Sequence, residues 1–480
     1  MPLETMQKPV QSFIKASDAA SWVSCKRRAW LDKQPGSPAA IDPFIQLLGQ
    51  AGLQHEAAVL SKLENQCPAH RATSIEHTSL LMQQKIPLIY QAQLFDEQNG
   101  LIGYPDFLIL HANGQYQPAD AKLATSENKK AIQIQLGVYR RLLATSLPPL
   151  VFLGDGRAVE LQDDLNACVD EFLAGMKELI ENQQQPATRY SHSKCRTCPY
   201  QAHCSQEFES KQDISLLYGI HGSVADQLAD IGIVSIPQLA QSQAESLPDI
   251  PHLKGYKKKL RAILQAQSIL SDQVTQLSPI VLPKGTWIHF DIEDNPLTPS
   301  RMRHVYLWGL LPPPHQEDNF TYSWTDDESN DYEGWIGFLN LLETYRTNYP
   351  DLILAHYSNH EKATIQKYAE RYAMTQHAIV KWLLGEKSPL FDLQKPILES
   401  LVLPLQGYGL KDICKHPNLV NFQWKNAESG SQWSVVQFNR LQTESDETEK
   451  QKIRDALLGY NRDDVIATHK LTLWLQQWVS

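Results

Sequence analysis

The 480-residue sequence has no apolar run near the roughly 20 residues needed to cross a membrane. Its start, MPLETMQKPV, lacks the charged-then-apolar pattern of a secretory signal. Its seven cysteines are an odd number for a large chain, which favours metal ligands over a disulfide framework. We therefore expect a cytoplasmic protein of two or three domains with no membrane partner.

The sequence also lacks an excess of positive charge, because its formal net charge is −10. This excludes a broadly basic surface, so any contact with nucleic acid must use local basic patches and metal ions. There is no G-x-x-x-x-G-K-[ST] motif. ATP-driven unwinding of a duplex would therefore need a helicase partner.

One stretch, residues 101–143, combines regular patterning with unexpected polar residues. The predicted elements are strand 101–110, strand 116–123 and helix 129–143. Asp106, Asp120 and Lys122 interrupt the two strands. Two carboxylates and a lysine on neighbouring strands can hold Mg²⁺ and polarise a water molecule against a phosphodiester.

The turn between these strands decides whether the carboxylates meet. A two-residue Asn-Gly loop would set Asp106 opposite Ala121, on the wrong face. A three-residue loop, Ala112-Asn113-Gly114, with Gly114 in the left-handed region, sets Asp106 opposite Asp120. We predict the three-residue loop.

The helix adds Gln135 and Tyr139, which are four residues apart and share one face. Together with Gly103-Tyr104-Pro105-Asp106 and Asp120-Ala121-Lys122, they resemble the PD-(D/E)XK nuclease core of the RecB family. The alternative is an ordinary hairpin and helix with surface Asp and Lys side chains, since D-x-K alone is common.

This resemblance implies a role for each motif residue. Asp106 and Asp120 would bind Mg²⁺ or Mn²⁺, and Lys122 would stabilise charge or the attacking hydroxide. Gln135 and Tyr139 would position the strand or its phosphate. The resemblance also implies a ligand role for a helical G-x-x-H histidine, His55, which by itself would read as a polar surface residue.

Two helices are predicted before this core. The first covers 14–33 with Ser17 as its cap, and the second starts at Gly49. The basic run Lys26–Arg28 follows Cys25 directly. It either meets phosphates or forms a solvated helix face.

Three cysteines follow the core at C-x2-C-x5-C spacing: Cys195, Cys198 and Cys204. They can reach one metal centre, which needs a fourth thiolate, and Cys25 is the candidate. One cysteine near the start and three after the core resemble the iron–sulfur subgroup of RecB-like nucleases. This implies a [4Fe–4S] cluster that ties the N-terminal helix to the end of the nuclease domain. The alternative is structural Zn²⁺, which His203 could join.

The middle of the chain carries two features that suit a phosphate backbone. Gly219-Ile220-His221-Gly222, with Ala225 three residues later, resembles helix-hairpin-helix modules, whose glycine turn offers backbone N–H groups to phosphate. Lys257, Lys258 and Lys259 lie in the densest basic run. The alternative is a structural helical spacer with a solvated lysine face.

The last third begins with a strand that carries Asp291 and Glu293. Further strands are predicted at 305–311 and 352–357, with a helix at 332–347 between them, and this β-β-α-β order indicates a mixed α/β sheet. Asp291 and Glu293 share one side of the strand. A D-x-E pair of this kind can hold two divalent ions.

Near the end, Tyr460 and Asp464 lie four residues apart in a helix predicted to open there and to run to Trp478. D-x-E on a first strand with Y-x-x-x-D on a last helix resembles the DEDDy class of 3′–5′ exonucleases, which have an RNase H-like fold. The resemblance implies that Asp291, Glu293 and Asp464 bind metal ions and that Tyr460 orients the attacking water.

The third carboxylate of this class departs from the pattern. Glu361 stands where the class usually has Asp, and Asp392 is a fallback with a structural role as its simpler explanation. Asp463 is an alternative to Asp464, but the spacing from Tyr460 favours Asp464. Residues 407–412 resemble the loop and helix that precede the last motif. The alternative is an RNase H-like domain that has lost activity and only binds or packs.

Over nearly its full length the sequence resembles a bacterial family of RecB-like nucleases with all three parts in one α/β chain. The expected domains are an iron–sulfur PD-(D/E)XK domain with a restriction-endonuclease-like core (1–207), a helical helix-hairpin-helix-like segment (208–278) and an RNase H-like, 3′–5′ exonuclease-like domain (279–480). The implied activity is metal-dependent hydrolysis of DNA or RNA in repair, recombination or processing. A non-catalytic nucleic-acid-binding or scaffold protein and a metal-clipped regulatory or redox protein remain as alternatives.

Overall fold

The structure is a computed structural model that describes residues 13–36, 42–162, 164–182, 184–298, 300, 302–425 and 430–479. It divides into two compact units, Met1–Thr188 with Ser193–His203, and Arg189–His192 with Cys204–Ser480. The first ten residues, where we expected no signal sequence, lie outside the described residues. Within the described part of the chain, no helix is both long and apolar enough to cross a membrane. The division into three domains stays a prediction.

The first unit contains nine strands and six helices among its described residues, and short helices follow where the chain passes to the second unit. The strands are β1 (Ile14–Lys15), β2 (Ala69–Arg71), β3 (Leu88–Tyr90), β4 (Leu94–Asp96), β5 (Leu101–Gly103), β6 (Phe107–Leu110), β7 (Tyr116–Lys122), β8 (Leu150–Leu153) and β9 (Ala158–Glu160). The helices are α1 (Asp18–Ser24), α2 (Lys26–Leu31), α3 (Pro43–Glu64), α4 (Ile75–Gln83), α5 (Lys130–Leu142) and α6 (Asn166–Glu181). They are followed by α7 (His192–Cys195) and α8 (Gln201–Ser210).

The main sheet of this unit has the strand order β2-β3-β6-β7-β8-β9, and β1, β5 and β4 form a smaller sheet. Helices cover both faces of the main sheet. Val59 of α3 packs with Ala119 on one face, while Ile134 of α5 and Val169 of α6 pack with Val151 on the other. Because strand side chains alternate between faces, Asp120 lies opposite the α3 face.

Three boundaries predicted for this unit are wrong. The helix expected over 14–33 is β1 followed by α1 and α2, which Cys25 separates in an extended conformation (φ −162°, ψ 123°). Ser17 precedes α1 but makes no side-chain cap. The helix expected from Gly49 starts at Pro43, where the Asp42 side chain accepts from the Phe44 N–H.

The strand expected over 101–110 is also wrong, because it divides into β5 and β6, which belong to different sheets. Pro105 lies between them, lacks an N–H and restricts the residue before it, so the ladder cannot continue. The basic run Lys26–Arg28 was predicted either to meet phosphates or to form a solvated helix face, and neither prediction describes Arg27. Arg27 is buried and donates from Nε to the Pro186 carbonyl at 2.9 Å.

The second unit continues with seven strands and ten further helices among its described residues. The strands are β10 (Thr275–Gln276), β11 (Thr286–Asn295), β12 (His304–Leu311), β13 (Thr321–Trp324), β14 (Leu352–His356), β15 (Leu390–Asp392) and β16 (Leu401–Val402). The helices are α9 (Gly222–Ala229), α10 (Ile236–Ala240), α11 (Tyr256–Ser271), α12 (Asp331–Asn348), α13 (His360–Arg371), α14 (Ala378–Leu384), α15 (Gln394–Ser400), α16 (Leu410–Lys415), α17 (Ser431–Thr443) and α18 (Glu447–Gln476).

A five-stranded sheet organises this unit, with the order β13-β12-β11-β14-β15. β11, β12 and β13 run antiparallel, while β14 and β15 run parallel to β11. The predicted α/β class is therefore confirmed. The predicted β-β-α-β order is wrong because it lacks β13, a four-residue strand whose sequence, TYSW, is too short to stand out.

The last helix was predicted to open at Tyr460, which is also wrong. α18 starts at Glu447, where the Asp446 side chain accepts from the Thr448 and Glu449 N–H groups. Gly459 lies inside the helix and does not break it. The helix packs on the face of β11 that carries His289, Asp291 and Glu293, while Ile288, Phe290 and Ile292 enter the core on the opposite face.

Candidate functional site

Asp106 and Asp120 lie opposite each other at the end of the β6–β7 pair. Phe107 pairs with Ala119, so the next residues, Asp106 and Asp120, are opposite. The Asp106 N–H donates to Asp120 Oδ1 at 3.0 Å, and the Ala121 N–H donates to Asp106 Oδ2 at 2.8 Å. Gly114 has φ +81° in the turn. The predicted loop and register are confirmed.

Lys122 completes a partly buried set of ionisable side chains with Asp106 and Asp120. Its Nζ lies 2.7 Å from Asp120 Oδ2. Burial and the Asp120 charge raise the pKa of Asp106 to about 9. Burial lowers the pKa of Lys122, but Asp120 outweighs it, and the pKa is raised overall. Two acidic side chains therefore lie beside one lysine, and a cation bound next to them would favour the ionised form of Asp106.

Gln135 and Tyr139 hold the backbone that leads into Asp106. The Tyr139 hydroxyl donates to the Tyr104 carbonyl at 3.0 Å and accepts from Gln135 Nε2 at 2.7 Å. A Cβ at Gly103 would lie 2.8 Å from the Tyr139 ring, so a glycine is needed for this approach. Tyr139 is only 1% exposed, which supports positioning of the strand and leaves no access to a phosphate.

α3 carries His55, the predicted ligand, and Glu56, which the sequence analysis missed. His55 is buried, and its Nε2 lies 3.0 Å from the Phe152 carbonyl. Glu56 lines a cavity of about 460 Å³ together with Asp106, Arg71 and Gln91. Glu56 also helps to raise the pKa of Asp106. Only its adjacency to His55 would have singled it out in the sequence.

The expected cysteine cluster stays a prediction. Cys25 separates α1 from α2, and its Sγ lies 3.3 Å from the Thr188 hydroxyl. Cys195 ends α7, and Cys204 lies in α8. Within the described ranges, two groups of three His, Cys, Asp or Glu side chains bring ligand atoms within 4.8 Å of one another, and neither contains a cysteine.

The middle segment folds as short helices around the predicted glycine turn. Gly219 has φ +83°, and Gly222 opens α9. Lys257 and Lys258 are exposed in the first turn of α11. Lys259 instead forms an ion pair with Asp249 at 2.8 Å. Two of the three predicted lysines are therefore available to an external phosphate.

Asp291, Glu293 and Asp464 converge between β11 and α18. One carboxylate oxygen of each lies within 4.8 Å of the others. Asp291 and Glu293 meet on one strand face because their spacing equals the two-residue repeat of a strand. Burial raises the pKa of all three, that of Asp464 to about 6, and the neighbouring carboxylates raise those of Asp291 and Glu293 further. The site therefore suits a divalent cation.

Each of these carboxylates accepts a hydrogen bond from a neutral side chain that the sequence analysis missed. The donors are Asn461 Nδ2 to Asp291 at 2.8 Å, Ser434 Oγ to Glu293 at 2.7 Å and Trp424 Nε1 to Asp464 at 2.7 Å. Neutral donors orient the oxygens without neutralising them. No motif marked these residues, although Asn461 follows Tyr460 directly.

Tyr460 and Lys411 flank Asp464. The Lys411 ammonium donates to the Tyr460 hydroxyl at 3.0 Å. Burial and Asp464 raise the pKa of Tyr460, so the phenol stays protonated. Burial lowers the pKa of Lys411. The sequence analysis singled out residues 407–412 as a segment but gave Lys411 no role.

The remaining acidic candidates, Glu361, Asp392 and Asp463, lie outside the group of three and have different partners. Glu361 is buried with its carboxylate 3.3 Å from His356 Nδ1, and it lies outside the group of three although its charge raises the pKa of Asp291. Asp392 accepts from the Ser358 and Gln394 N–H groups, which is a structural role. Asp463 accepts from the Lys425 N–H, so Asp464 is the residue at the site, as the spacing predicted.

Comparison with known proteins bears on the second unit. No curated protein matches the chain. A solved structure, "Crystal structure of SSO0001", is 14% identical over 42% of this chain and 88% of its own, and its TM-score of 0.22 is too low to support a conclusion. Residues 288–476 match the family model described as RNase_H superfamily. The part of the chain that carries Asp291, Glu293 and Asp464 is therefore an RNase H-like domain.

Proposed function

We propose that this protein is a metal-dependent nuclease that hydrolyses phosphodiester bonds of DNA or RNA. The observation that carries the proposal is the convergence of Asp291, Glu293 and Asp464 within 4.8 Å inside an RNase H-like domain. Two buried carboxylates and one partly buried carboxylate with raised pKa values are costly to ionise unless they bind cations. Mg²⁺ or Mn²⁺ held there would stabilise the charge that develops on the phosphate and lower the pKa of a water molecule.

The residues around this site each have a separate task. Asn461 and Ser434 fix the orientation of the carboxylates they contact. Tyr460 remains a phenol and can orient the attacking water through its hydroxyl, which is itself held by the Lys411 ammonium. Glu361 is the candidate for the third carboxylate of the DEDDy set, and binding a second ion would require its side chain to turn away from His356.

We infer a second, RecB-like catalytic site at Asp106, Asp120 and Lys122. The paired carboxylates would bind Mg²⁺ or Mn²⁺, and Lys122 would stabilise negative charge at the phosphate. Glu56 lines the same cavity as Asp106 and adds a carboxylate. His55 remains a candidate ligand by resemblance, with Gln135 and Tyr139 holding the strand in place.

Nucleic-acid binding through the middle segment completes the proposal. The exposed lysines Lys257 and Lys258 supply local positive charge in an acidic chain. The turn at Gly219 and Gly222 would offer backbone N–H groups to a phosphate, in the helix-hairpin-helix manner. A role in repair, recombination or nucleic-acid processing follows from this combination, and unwinding would need a helicase partner.

The test is a nuclease assay on anaerobically purified full-length protein with Mg²⁺ or Mn²⁺. Substrates are 5′- and 3′-labelled DNA and RNA. Lys122→Ala and Asp291→Ala are compared with Lys129→Ala, which removes an exposed lysine from the segment after β7. We expect each site variant to lose its own activity by roughly 10²–10³-fold, the usual cost of losing one electrostatic group. Lys129→Ala should retain both activities.

The label pattern assigns each site. Loss of 3′-end shortening in Asp291→Ala identifies the RNase H-like exonuclease, and the activity lost in Lys122→Ala belongs to the RecB-like site. If the wild type cuts none of these substrates but binds them, the protein is a non-catalytic binding or scaffold protein. If its affinity for them follows the oxidation state of a metal cluster, the regulatory or redox alternative holds.

A further inference from the structure

Three histidines from separate parts of the RNase H-like domain meet beside β11. His289 lies on β11, His315 follows β12 and His469 lies on α18, and one ring nitrogen of each is within 4.8 Å of the others. The rings of His315 and His469 stack at 4.2 Å, and the His289 ring lies 5.2 Å and 4.9 Å from them. Phosphodiester hydrolysis at the carboxylates uses none of these rings.

The hydrogen bonds of His289 fit one tautomer of its ring. The Thr472 hydroxyl has the Thr468 carbonyl as an acceptor for its proton at 3.0 Å. With the proton placed there, the hydroxyl accepts from His289 Nε2, which lies 3.0 Å away. In a neutral ring, the lone pair is then on Nδ1. That atom is fully buried and makes no hydrogen bond to any residue that the structure describes, which is costly for a polar group.

His315 shows the same arrangement. Its Nε2 lies 2.9 Å from the Trp287 carbonyl, which can only accept, so Nε2 carries the proton and Nδ1 the lone pair. Metal-binding histidines typically donate their second ring N–H to a carbonyl or a similar group, which fixes ring orientation and tautomer. His289 and His315 are both held in this way through Nε2, which leaves Nδ1 of each ring to face a ligand.

We propose that His289, His315 and His469 form a binding site for a transition-metal ion of the Zn²⁺ class. Three imidazole nitrogens with an open fourth position are a common Zn²⁺ ligand set, whereas Mg²⁺ prefers oxygen. Tetrahedral Zn–N bonds of about 2.1 Å place the nitrogens about 3.4 Å apart. Binding would therefore require the partly buried His469 ring to turn out of its stack with His315, so that the three nitrogens face one ion.

The histidine site lies on the same strand and helix as the carboxylates Asp291 and Asp464. His289 is two residues before Asp291 on β11, and His469 is five residues after Asp464 on α18. A bound ion would therefore fix β11 and α18, whose contact brings together Asp291, Glu293 and Asp464, here called the acidic group. The inference itself does not depend on nuclease activity, because its measurement is metal content.

The test uses full-length protein stripped of metal by a chelator and then dialysed against Zn²⁺. Metal is counted by mass spectrometry in the wild type, His315→Gln and His469→Gln. The matched control is His377→Gln, which removes an exposed histidine of the same domain. We expect the wild type and His377→Gln to hold one more equivalent of zinc than either cluster variant. The variants are compared at equal cysteine content, so zinc held by cysteines cancels in the difference.

Co²⁺ gives a second measurement that separates imidazole from carboxylate ligands. The strong visible absorption of four-coordinate, nitrogen-bound cobalt should appear in the wild type and in Asp291→Asn, and should be lost in His315→Gln and His469→Gln. His315 is only half-buried, so His315→Gln carries the test if His469→Gln does not fold. Equal zinc uptake in all proteins, or a cobalt spectrum unchanged in His315→Gln, would overturn the proposal.

Discussion

Asn461 donates a hydrogen bond to Asp291 at 2.8 Å across 170 residues of chain. Its side-chain oxygen points at Gly309 on β12, where an added Cβ would lie 1.8 Å away. The amide therefore fits between strand and helix only because residue 309 has no side chain. Two positions that look unremarkable in the sequence thus orient a carboxylate of the acidic group.

Substitution of this glycine should disturb the site from a distance. Gly309→Ala forces Asn461 away from Asp291, and overpacking of this kind costs about 1–3 kcal/mol. We expect lower stability in urea denaturation and a loss of 3′-end shortening. Gly459→Ala is the control, since Cβ at 459 meets nothing closer than 4.0 Å in the interior of α18. It should raise stability by up to about 1 kcal/mol and leave activity unchanged.

The acidic group should make the metal-free protein less stable as pH rises. The pKa of Asp464 is raised from 3.8 to about 6 by burial, so the folded protein retains a proton that the unfolded chain releases. Stability then falls between about pH 4 and pH 6. Asp464→Asn should flatten this part of the profile when urea midpoints are measured in chelator. A profile that is identical in both proteins would contradict the assignment.

Tyr139 should matter for the proposed site at Asp106, Asp120 and Lys122 through position alone. Tyr139→Phe removes the hydroxyl that links Gln135 to the Tyr104 carbonyl, at a cost of roughly 1 kcal/mol. Activity that depends on Lys122 should fall with it. Tyr116→Phe is the control, because the Tyr116 hydroxyl also donates to a backbone carbonyl, that of Ile86, at the opposite end of β7. It should cost similar stability and spare activity.

The cysteine set makes a prediction about metal content. Anaerobically purified wild type should contain iron and sulfide and show the charge-transfer absorption of an iron–sulfur cluster, and Cys198→Ser should lose them. Cys168→Ser should keep them, since Cys168 packs in the first unit's core and donates to the Leu165 carbonyl. Zinc in place of iron in the wild type would select the structural-zinc alternative.

Local rules account for the parts of both sites that the sequence predicted. The glycine turn set the register of Asp106 and Asp120, and strand alternation put Asp291 and Glu293 on one face. The helical spacing of Tyr460 and Asp464 selected Asp464 over its neighbour. Each inference needed only residues close in the sequence, or the repeat of a single element.

The parts that were missed depend on long-range packing. Ser434 and Trp424 donate to Glu293 and Asp464 from segments distant in the chain, and nothing in their local sequence indicates it. Lys411 lies in a segment that the sequence singled out, but its contact with Tyr460 also depends on long-range packing. The break at Cys25 falls inside a stretch with good helical patterning, so a local rule gave one helix where two exist. Glu56 faces a cavity that only the folded sheet creates.

The separation of β11 and α18 along the chain has a consequence for how the protein is made. A ribosome delivers Asp291 and Glu293 well before it delivers Asn461 and Asp464, which orient and complete their group. Contacts of such long sequence separation form late in folding. A chain still under synthesis therefore carries Asp291 and Glu293 without Asp464, so this metal site can assemble only after nearly the whole chain has been made.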